Sequence, residues 1–475
     1  DSAQDILNNN QYDIYNPNGN SYGRSIYVLK FRAVNDDAID PVSQANDITL
    51  AFSVKYGASN SPSTTGSFSD ATAQTRTDFT YCFPASPSVV TLSDTYSYTD
   101  ADDNTVITRA DNLLAAIYAP DIYGNLFRVT YDYNAGSPQW QVKHVFSANP
   151  GGTNDSGDTS LWQATDTDDT GRKVFYGPAV SWRGSGRYFD PSNYYYSNVT
   201  FENTNQIASL FFGTGDRVHP AFKLVKNRVY AIYDDSPVTA TDTSTIAVNS
   251  APYNETDLLN ITCDELGIYT TLDDPADKQS LKTLLHDDVI NPDAAPMELD
   301  SGGAGEDDAK GWYITLEQQG LSPYCDHCTY AGTVATDEGE RDYHYGEKVL
   351  SKLTLFAGSL YFTTYQPSYD DPCVPQGNAF NYALDYLTGA AALNLNTSND
   401  LTVDGDTTLQ TDVTDRYGKH SGIKGIPSGF EVVVRDGEAG AMASVGGKII
   451  GGGEDGGYQI PYSDIGLDLF YWIER

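Results

Sequence analysis

Short runs of alternating apolar and polar residues fill the chain from end to end. They include "SIYVLKFRAV" (25–34), "DITLAFSVKY" (47–56), "NLFRVTYDY" (125–133) and "WQVKHVFSA" (140–148). Later runs are "IASLFFGTG" (207–215), "NRVYAIYDD" (227–235), "KLTLFAGSLYFTTYQ" (352–366) and "GFEVVVRDG" (429–437). They are rich in β-branched and aromatic residues and stop at Gly, Asn, Asp or Pro, which predicts strands joined by turns. A looser motif recurs among them: Gly or Asn, one or two polar residues, then an aromatic-rich strand, as in "YGRSIYVLKF", "YGNLFRVTYD", "KNRVYAIYDD", "AGSLYFTTYQ" and "GNAFNYALDYLTG". Its glycine suits a tight turn with positive φ, and the strand that follows reads as buried.

The expected class is all-β. The recurring turn-and-strand unit has the form of a hairpin from a propeller blade. Four-stranded blades run to about 40–45 residues. A chain of 475 residues with insertions then holds about seven of them, as a modified β-propeller. One stretch breaks the strand pattern. In "DDPADKQSLKTLLHDDVINP" (273–292), Asp274 is an N-cap and Pro275 the first helical residue; Leu281, Leu284, Leu285 and Val289 keep helical spacing, and Pro292 marks the stop. The acidic, Gly-rich "DSGGAGEDDAKG" (300–311) follows. Residues 267–310 therefore read as a short helical insertion, too poor in apolar residues to make its own core. No linker divides the chain, so 1–475 is expected to be a single domain.

Charge narrows the partners. The chain carries 65 Asp and Glu against 28 Lys and Arg, a formal net charge of −37. That field repels phosphate backbones and anionic membranes, so no nucleic acid is expected as a partner, while cations and basic protein surfaces are attracted. No apolar run approaches the roughly 20 residues that cross a bilayer, so no membrane span is expected. The chain starts at Asp1, without Met or signal peptide, and reads as a processed or excised segment.

Five cysteines, Cys82, Cys263, Cys325, Cys328 and Cys373, are too few to build a disulfide scaffold at this length. The pair in "YCDHCTY" has C-x-x-C spacing, which serves zinc binding, redox chemistry or a small disulfide. No second C-x-x-C completes a zinc site, and Thr329 stands where a c-type haem needs His. Structural disulfides in an exported protein are the favoured reading. A strand meander over 352–366 would bring Cys373 back to Cys325 or Cys328, closing a loop of about 45–50 residues that contributes roughly 3–4 kcal/mol. A local Cys325–Cys328 bond is the alternative.

Two stretches alternate oxygen-bearing residues as a calcium loop does. The first choice is "DADDNTVITRAD" (100–111): Asp100, Asp102 and Asn104 at positions 1, 3 and 5, the Val106 carbonyl at 7, Thr108 at 9 and Asp111 at 12. Thr105 replaces the usual Gly at position 6, and Asp111 is shorter than a bidentate Glu. The second choice is "DGDTTLQTD" (404–412), with Asp404, Asp406, Thr408 and Asp412 at positions 1, 3, 5 and 9. The bland reading of both is an acidic, solvated turn.

Six segments in order resemble a known family. "AIYAPDIYGNLFRVTYD" (116–132) resembles the "YAGDLxGNLWRFD" signature of PilY-type proteins, and "ASLFFGTGDR" (208–217) their "fGTGR" segment. "GWYITL" (311–316) resembles "GWYLDL", and "GEKVLSKLTLFAGSLYFTTYQPSYDDPC" (346–373) resembles "GERV…FTTxxPxxDPC". "GIKGIPSGFEVVV" (422–434) and the closing "FYWIER" (470–475) fit the same order. Pro120 stands where the family usually has Gly, and Phe127 where it has Trp. PilY-type proteins are exported type IV pilus biogenesis factors and tip-associated adhesins. Their C-terminal region is a modified β-propeller, and a calcium loop there affects pilus extension and retraction. The resemblance implies this propeller, with calcium at 100–111, minor pilins and the pilus tip complex as partners, a host or abiotic surface as adhesion target, and a place at the cell surface, pilus tip or outer membrane. It does not extend to an Arg-Gly-Asp tripeptide, since "RDG" (435–437) has the wrong order.

Two other classes compete. Propellers also build quinoprotein dehydrogenases, which use calcium, a quinone and often adjacent cysteines. No two cysteines are adjacent here, and His144, His219, His286, His327, His344 and His420 form no metal-spaced cluster. There is no G-x-S-x-G elbow or phosphate loop, so no enzymatic activity is expected. A carbohydrate-binding propeller is the third class, for which some of the 35 Tyr would stack on sugar rings.

Overall fold

The computed structural model describes residues 23–31, 48–56, 61–62, 72–99, 105–131, 140–149, 171–183, 187–190, 195–198, 207–221, 225, 227–234, 252–261, 310–316, 346–367, 377–386, 389, 391–393, 395, 402–403, 406–407, 416–435, 438–450 and 458–460. Among them the chain is all-β, with a short 3-10 turn at Glu255–Asp257. The helix expected near 274–291 lies outside the described residues, as does the rest of the insertion up to 309.

The first sheet holds β1 (Ser25–Phe31), β2 (Ile48–Tyr56), β3 (Ser61–Pro62) and β4 (Thr72–Arg76) in the order β1-β2-β4-β3, with β2 and β4 parallel. The second is an antiparallel meander of β5 (Ser88–Thr99), β6 (Thr105–Pro120), β7 (Asn125–Tyr131) and β8 (Trp140–Ser147). The third begins with β9 (Ala179–Arg183). A small hairpin, β10 (Arg187–Asp190) and β11 (Tyr195–Asn198), intervenes before β12 (Ile207–Gly213), β13 (Arg228–Asp234), β14 (Leu259–Asn260) and β15 (Gly311–Thr315); the sheet order is β14-β15-β13-β12-β9.

The fourth sheet is built from β16 (Lys348–Val349), β17 (Thr354–Phe356), β18 (Ser359–Pro367) and β19 (Gly377–Asp385). After the hairpin of β20 (Thr402–Val403) and β21 (Asp406–Thr407) it gains β22 (Tyr417–Lys424), giving β16-β18-β19-β22 with β17 also beside β18. In the last sheet β24 (Glu438–Val445) pairs with β23 (Glu431–Arg435), β25 (Lys448–Ile450) and β26 (Tyr458–Ile460). Among the described residues no sheet closes on itself.

Two compact units hold these sheets. One comprises Asp1–Pro178 and Ser236–Asn254, the other Ala179–Asp235 and Glu255–Arg475. In the first unit the first two sheets pack face to face. Ile26, Phe52 and Val54 meet Ile117, Ala119, Phe127, Val129, Trp140 and Val142, with Phe79 between them. Phe52 stacks on Trp140 at 4.8 Å, and Phe79 meets Phe127 edge-on at 4.6 Å. Phe127 is wholly buried in this core.

In the second unit the fourth sheet is buried on both faces. Leu360, Phe362, Phe380, Tyr382 and Leu384 join Phe211, Val229, Ala231, Trp312 and Ile314 of the third sheet. Tyr361, Ala379 and Ala383, pointing the other way by strand alternation, pack on Phe430, Ala441, Ala443 and Val445 of the last sheet. Burial on both faces explains why β18 and β19 read as near-continuous apolar and Thr-rich runs.

The run 352–366, read from sequence as one strand-like stretch, is a hairpin. Phe356 pairs with Ser359, and Ala357 and Gly358 both take positive φ, 48° and 78°. Positive φ at both central residues is the turn that suits strand twist. The glycine satisfies it freely, whereas the methyl of Ala357 crowds the following carbonyl at a cost of about 1–2 kcal/mol. Ala357→Asn keeps the turn with a residue that tolerates this region and is expected to stabilise the second unit by about 1 kcal/mol. A higher urea midpoint checks it; an unchanged or lower midpoint would mean the turn carries no such strain.

Candidate functional site

The first carboxylate loop falls at the end of a hairpin. β5 and β6 are paired up to Thr99↔Thr105. Asp100, Asp102 and Asn104 lie in the connection between these residues and outside the described ones. Val106 pairs with Tyr98 and Thr108 with Tyr96, so both occupy one face of β6. Asp111 is further along β6, six residues from Thr105, which at the rise of a strand is roughly 20 Å. An EF-hand loop curls all twelve residues about its ion; here residues 105–111 are extended. Between Thr105 and Leu114 the partner of β6 among the described residues is β5 alone, since β7 begins to pair only at Ile117. The hairpin is therefore a two-stranded ribbon reaching roughly 30 Å past the four-stranded part of its sheet.

In the second loop, Val403 pairs with Asp406 and leaves only two residues between them. Those residues are Asp404 and Gly405, a pair that favours two-residue hairpin turns. Asp404, Thr408 and Asp412 lie outside the described residues, and Asp406 stands on β21. Cys325, Cys328 and Cys373 also fall outside them. Among the described residues no three His, Cys, Asp or Glu side chains stand close enough to share a metal ion.

The densest polar chemistry lies where no sequence motif was assigned a ligand role, at the turn that joins β6 to β7. Asp121 is fully buried there. Its Oδ1 accepts the N–H groups of Tyr123 and Asn125, each at 2.9 Å, and its Oδ2 accepts Asn125 Nδ2 at 2.8 Å. Ser147 of β8 donates its hydroxyl to Asn125 Oδ1 at 2.9 Å. Gly124 makes the turn at φ +79°, and a Cβ on it would stand 2.8 Å from that of Ala148. Asn149 donates to the carbonyls of Tyr123 and Arg172 and accepts Arg172 N–H, while Arg172 Nη1 donates to Ala148 O at 3.0 Å. Two main-chain bonds fix the turn from either side, Ile122 N to Cys82 O and Val174 N to Ile122 O, at 2.8 and 3.0 Å. The stretch "PDIYGN" thus encodes a corner whose carboxylate serves the donors its own turn leaves open.

Burial dominates the electrostatics. It pushes the Asp121 carboxyl up to about 7, against the three N–H donors that favour the carboxylate and with a smaller contribution from Asp78. Burial likewise lowers His144 to about 4. Its ring stacks on Phe127 at 4.6 Å, and its Nε2 donates to Phe146 O at 3.1 Å, since a carbonyl can only accept. The Cys82 thiol, pushed up to about 11 by burial and then by Asp121, stays protonated and unreactive.

The second unit repeats the corner with different residues. Thr214 follows β12 as Asp121 follows β6. Its Oγ1 accepts Arg228 N–H at 2.9 Å and donates to Asn227 Oδ1 at 3.2 Å, and its own N–H donates to Arg228 O. Asn227 Nδ2 donates to Glu347 O at 2.8 Å, and Val349 N to Thr214 O at 3.0 Å. The glycines of "GTG" are needed for this approach: a Cβ on Gly213 would lie 2.4 Å from Val349 Cγ2, and one on Gly215 2.6 Å from Lys348 Cβ. The buried Glu347 accepts the hydroxyls of Thr364 and Tyr382 on Oε1. Arg228 pairs with Glu255, which also accepts the Tyr230 hydroxyl, and its guanidinium lies 4.5 Å from the centre of the Tyr313 ring.

The chain matches no protein-family model, no curated protein and no solved structure.

Asp121 and His144 oppose each other in pH. The raised carboxyl contributes stability that is full near pH 4 and lost as pH rises through about 7. The lowered imidazole contributes stability that is full above pH 6.5 and lost as pH falls through about 4. Relative to wild type, Asp121→Asn is expected to lose stability as pH drops from 7 to 4, and His144→Gln to gain it over the same window. Urea unfolding across that range reads both signs; curves parallel to wild type would show that neither group titrates on unfolding.

Proposed function

We propose that this chain is a PilY-type β-propeller domain of about seven blades, spanning 1–475 as one domain. In this reading it is an exported component of type IV pili, without enzymatic activity. It acts at the pilus tip or cell surface in assembly, retraction control and adhesion to a host or abiotic surface. Minor pilins of the tip complex are its partners, and calcium modulates it. The observation that carries the reading is the stacking of four- and five-stranded sheets within each unit. The first sheet packs on the second, and the third on the fourth on the last, with the fourth covered on both faces. A sheet covered on both faces by other sheets supports a series of blades over a two-layer sandwich. Of the family-like segments, "APDIYGN" and "FFGTG" form polar corners in their own units, and "GWYITL" and "SLYFTTYQ" are inner strands of their sheets. That no described helix is long and apolar enough to cross a membrane is compatible with a domain carried outside the cell on a pilus.

The calcium belongs at the β5–β6 tip, held by Asp100, Asp102, Asn104 and the Val106 carbonyl, with Thr108 next along the same face. Asp111, the position-12 residue of the same set, lies on the extended part of β6. A bound ion stabilises the folded state once its free concentration exceeds the dissociation constant. Calcium is expected to raise the unfolding temperature of wild type and of Asp111→Ala, but not of Asp100→Ala/Asp102→Ala, relative to chelator. A response that survives in the double variant places the metal elsewhere. Capture of minor pilins by the immobilised chain tests the wider reading, and failure to retain them in either calcium or chelator would remove it.

A further inference from the structure

The corner between β6 and β7 carries a hydrogen-bond chain that can run in two directions. Asp121 Oδ1 is committed: it accepts the main-chain N–H groups of Tyr123 and Asn125, each at 2.9 Å, and a main-chain N–H can only donate. Asp121 Oδ2 accepts Asn125 Nδ2 at 2.8 Å, and Asn125 Oδ1 in turn accepts the Ser147 hydroxyl at 2.9 Å. All three residues are buried. A side-chain amide carries its donor and its acceptor on either side of one rotatable bond, so the same heavy-atom positions serve both orientations. A serine hydroxyl donates or accepts by turning one hydrogen.

A proton taken up by this carboxyl goes to Oδ2, because Oδ1 already faces two fixed donors. On Oδ2 it meets the Asn125 N–H, donor against donor, and a buried donor without an acceptor is costly. Turning the Asn125 amide over removes the conflict. Its Oδ1 then accepts the new O–H, and its Nδ2 donates to Ser147 Oγ. The hydrogen displaced is that of Ser147, whose hydroxyl is free to turn. Ser147 is also where residues 252–254 join the edge of β8, through Ser147 N to Tyr253 O at 2.8 Å and Tyr253 N to Val145 O at 2.9 Å. A change of charge at the corner is thus passed through the first residue of β7 to β8 and its edge contact. Burial pushes the Asp121 carboxyl up to about 7, with a smaller contribution from Asp78 in the same direction. Around it, the Cys82 thiol is pushed up to about 11 and His144 of β8 down to about 4, so both are neutral near pH 7. Lys173 and Arg24 act on that thiol, Arg76 pairs with Asp78, and Arg172 Nη1 donates to Ala148 O at 3.0 Å.

We propose that Asp121, Asn125 and Ser147 form a proton-operated switch: with the charged carboxylate the donors run from Ser147 to Asn125 to Asp121, and with the neutral acid they run from Asp121 to Asn125 to Ser147, releasing the Ser147 hydroxyl beside the Tyr253 joint. The switch rests on the corner alone and does not depend on the pilus reading. The full chain, labelled with 13C at the Asp side-chain carboxyls and 15N at the Asn side-chain amides, is titrated from pH 5 to 9 and followed by nuclear magnetic resonance. The Asp121 carboxyl carbon is expected to shift with a midpoint near 7. Nuclear Overhauser contacts from the Asn125 side-chain N–H to the Ser147 β-protons are expected to be strong at pH 5 and weak at pH 9, with the same midpoint. Asp121→Asn places a donor at the Oδ2 position at every pH, so it is expected to hold the strong, low-pH contacts throughout. Contacts that stay constant while Asp121 titrates, or a carboxyl that stays charged over the whole range, overturn the proposal. The wild-type titration decides by itself if the variant does not fold. Calcium response and pilin capture are read separately, so failure here leaves those results intact.

Discussion

A strand that ends inside a protein leaves polar main-chain groups that water cannot reach, and this fold depends on how they are met. At the ends of β6 and β12 the answer is a side chain of the turn itself. Asp121 and Thr214 each turn an oxygen back onto the N–H that opens the next strand. An unpaired buried N–H costs about 1–3 kcal/mol, so the corner decides whether the inner strands can be buried at all. Asp121 meets this demand at the cost of its own charge, with burial holding its carboxyl near 7. Thr214 does it with a neutral hydroxyl and needs two neighbouring glycines to let Lys348 and Val349 approach.

The stacked cores follow from those corners. Once the strand ends are satisfied, the second and fourth sheets can pack against neighbours without exposing a polar seam. Alternation along β18 then becomes a division between two cores, Leu360 and Phe362 to one and Tyr361 to the other. Thr363 and Thr364, both fully buried, spend their hydroxyls on Ser428 O and Glu347. A sheet of this kind has no solvent face, which is why a simple in-out pattern is missing from its sequence.

Strands were legible where alternation and aromatics coincided, as in β2, β7, β8, β12 and β13, and the turn glycines were legible at Gly124 and Gly358, both with positive φ. The hairpin at Ala357 was blurred because alanine carries no turn signal. The carboxylate spacing at 100–111 looked like a loop, yet "TVIT" within it is β-branched and favours the strand that forms from Thr105. The pair Asp404-Gly405 likewise signals a hairpin turn more directly than a cation loop. The corner at Asp121 was written in the chain as Pro-Asp before Gly-Asn. What periodicity does not convey is that this aspartate is buried, because that depends on Cys82, Asn149 and Arg172 arriving from elsewhere in the sequence.

The ribbon of β5 and β6 has a mechanical side. A pull on its tip along the strand axis loads both strands in the same direction, so the rungs between them carry little of it. The tension passes up β6 to where β7 joins, at the four pairs from Ile117↔Val129 to Pro120↔Leu126. There the cross-strand bonds lie perpendicular to the pull and must slide together in shear rather than open one by one. The far end of that junction is Asp121, so the carboxylate that closes the corner also clamps the point at which the load leaves β6 for the turn into β7.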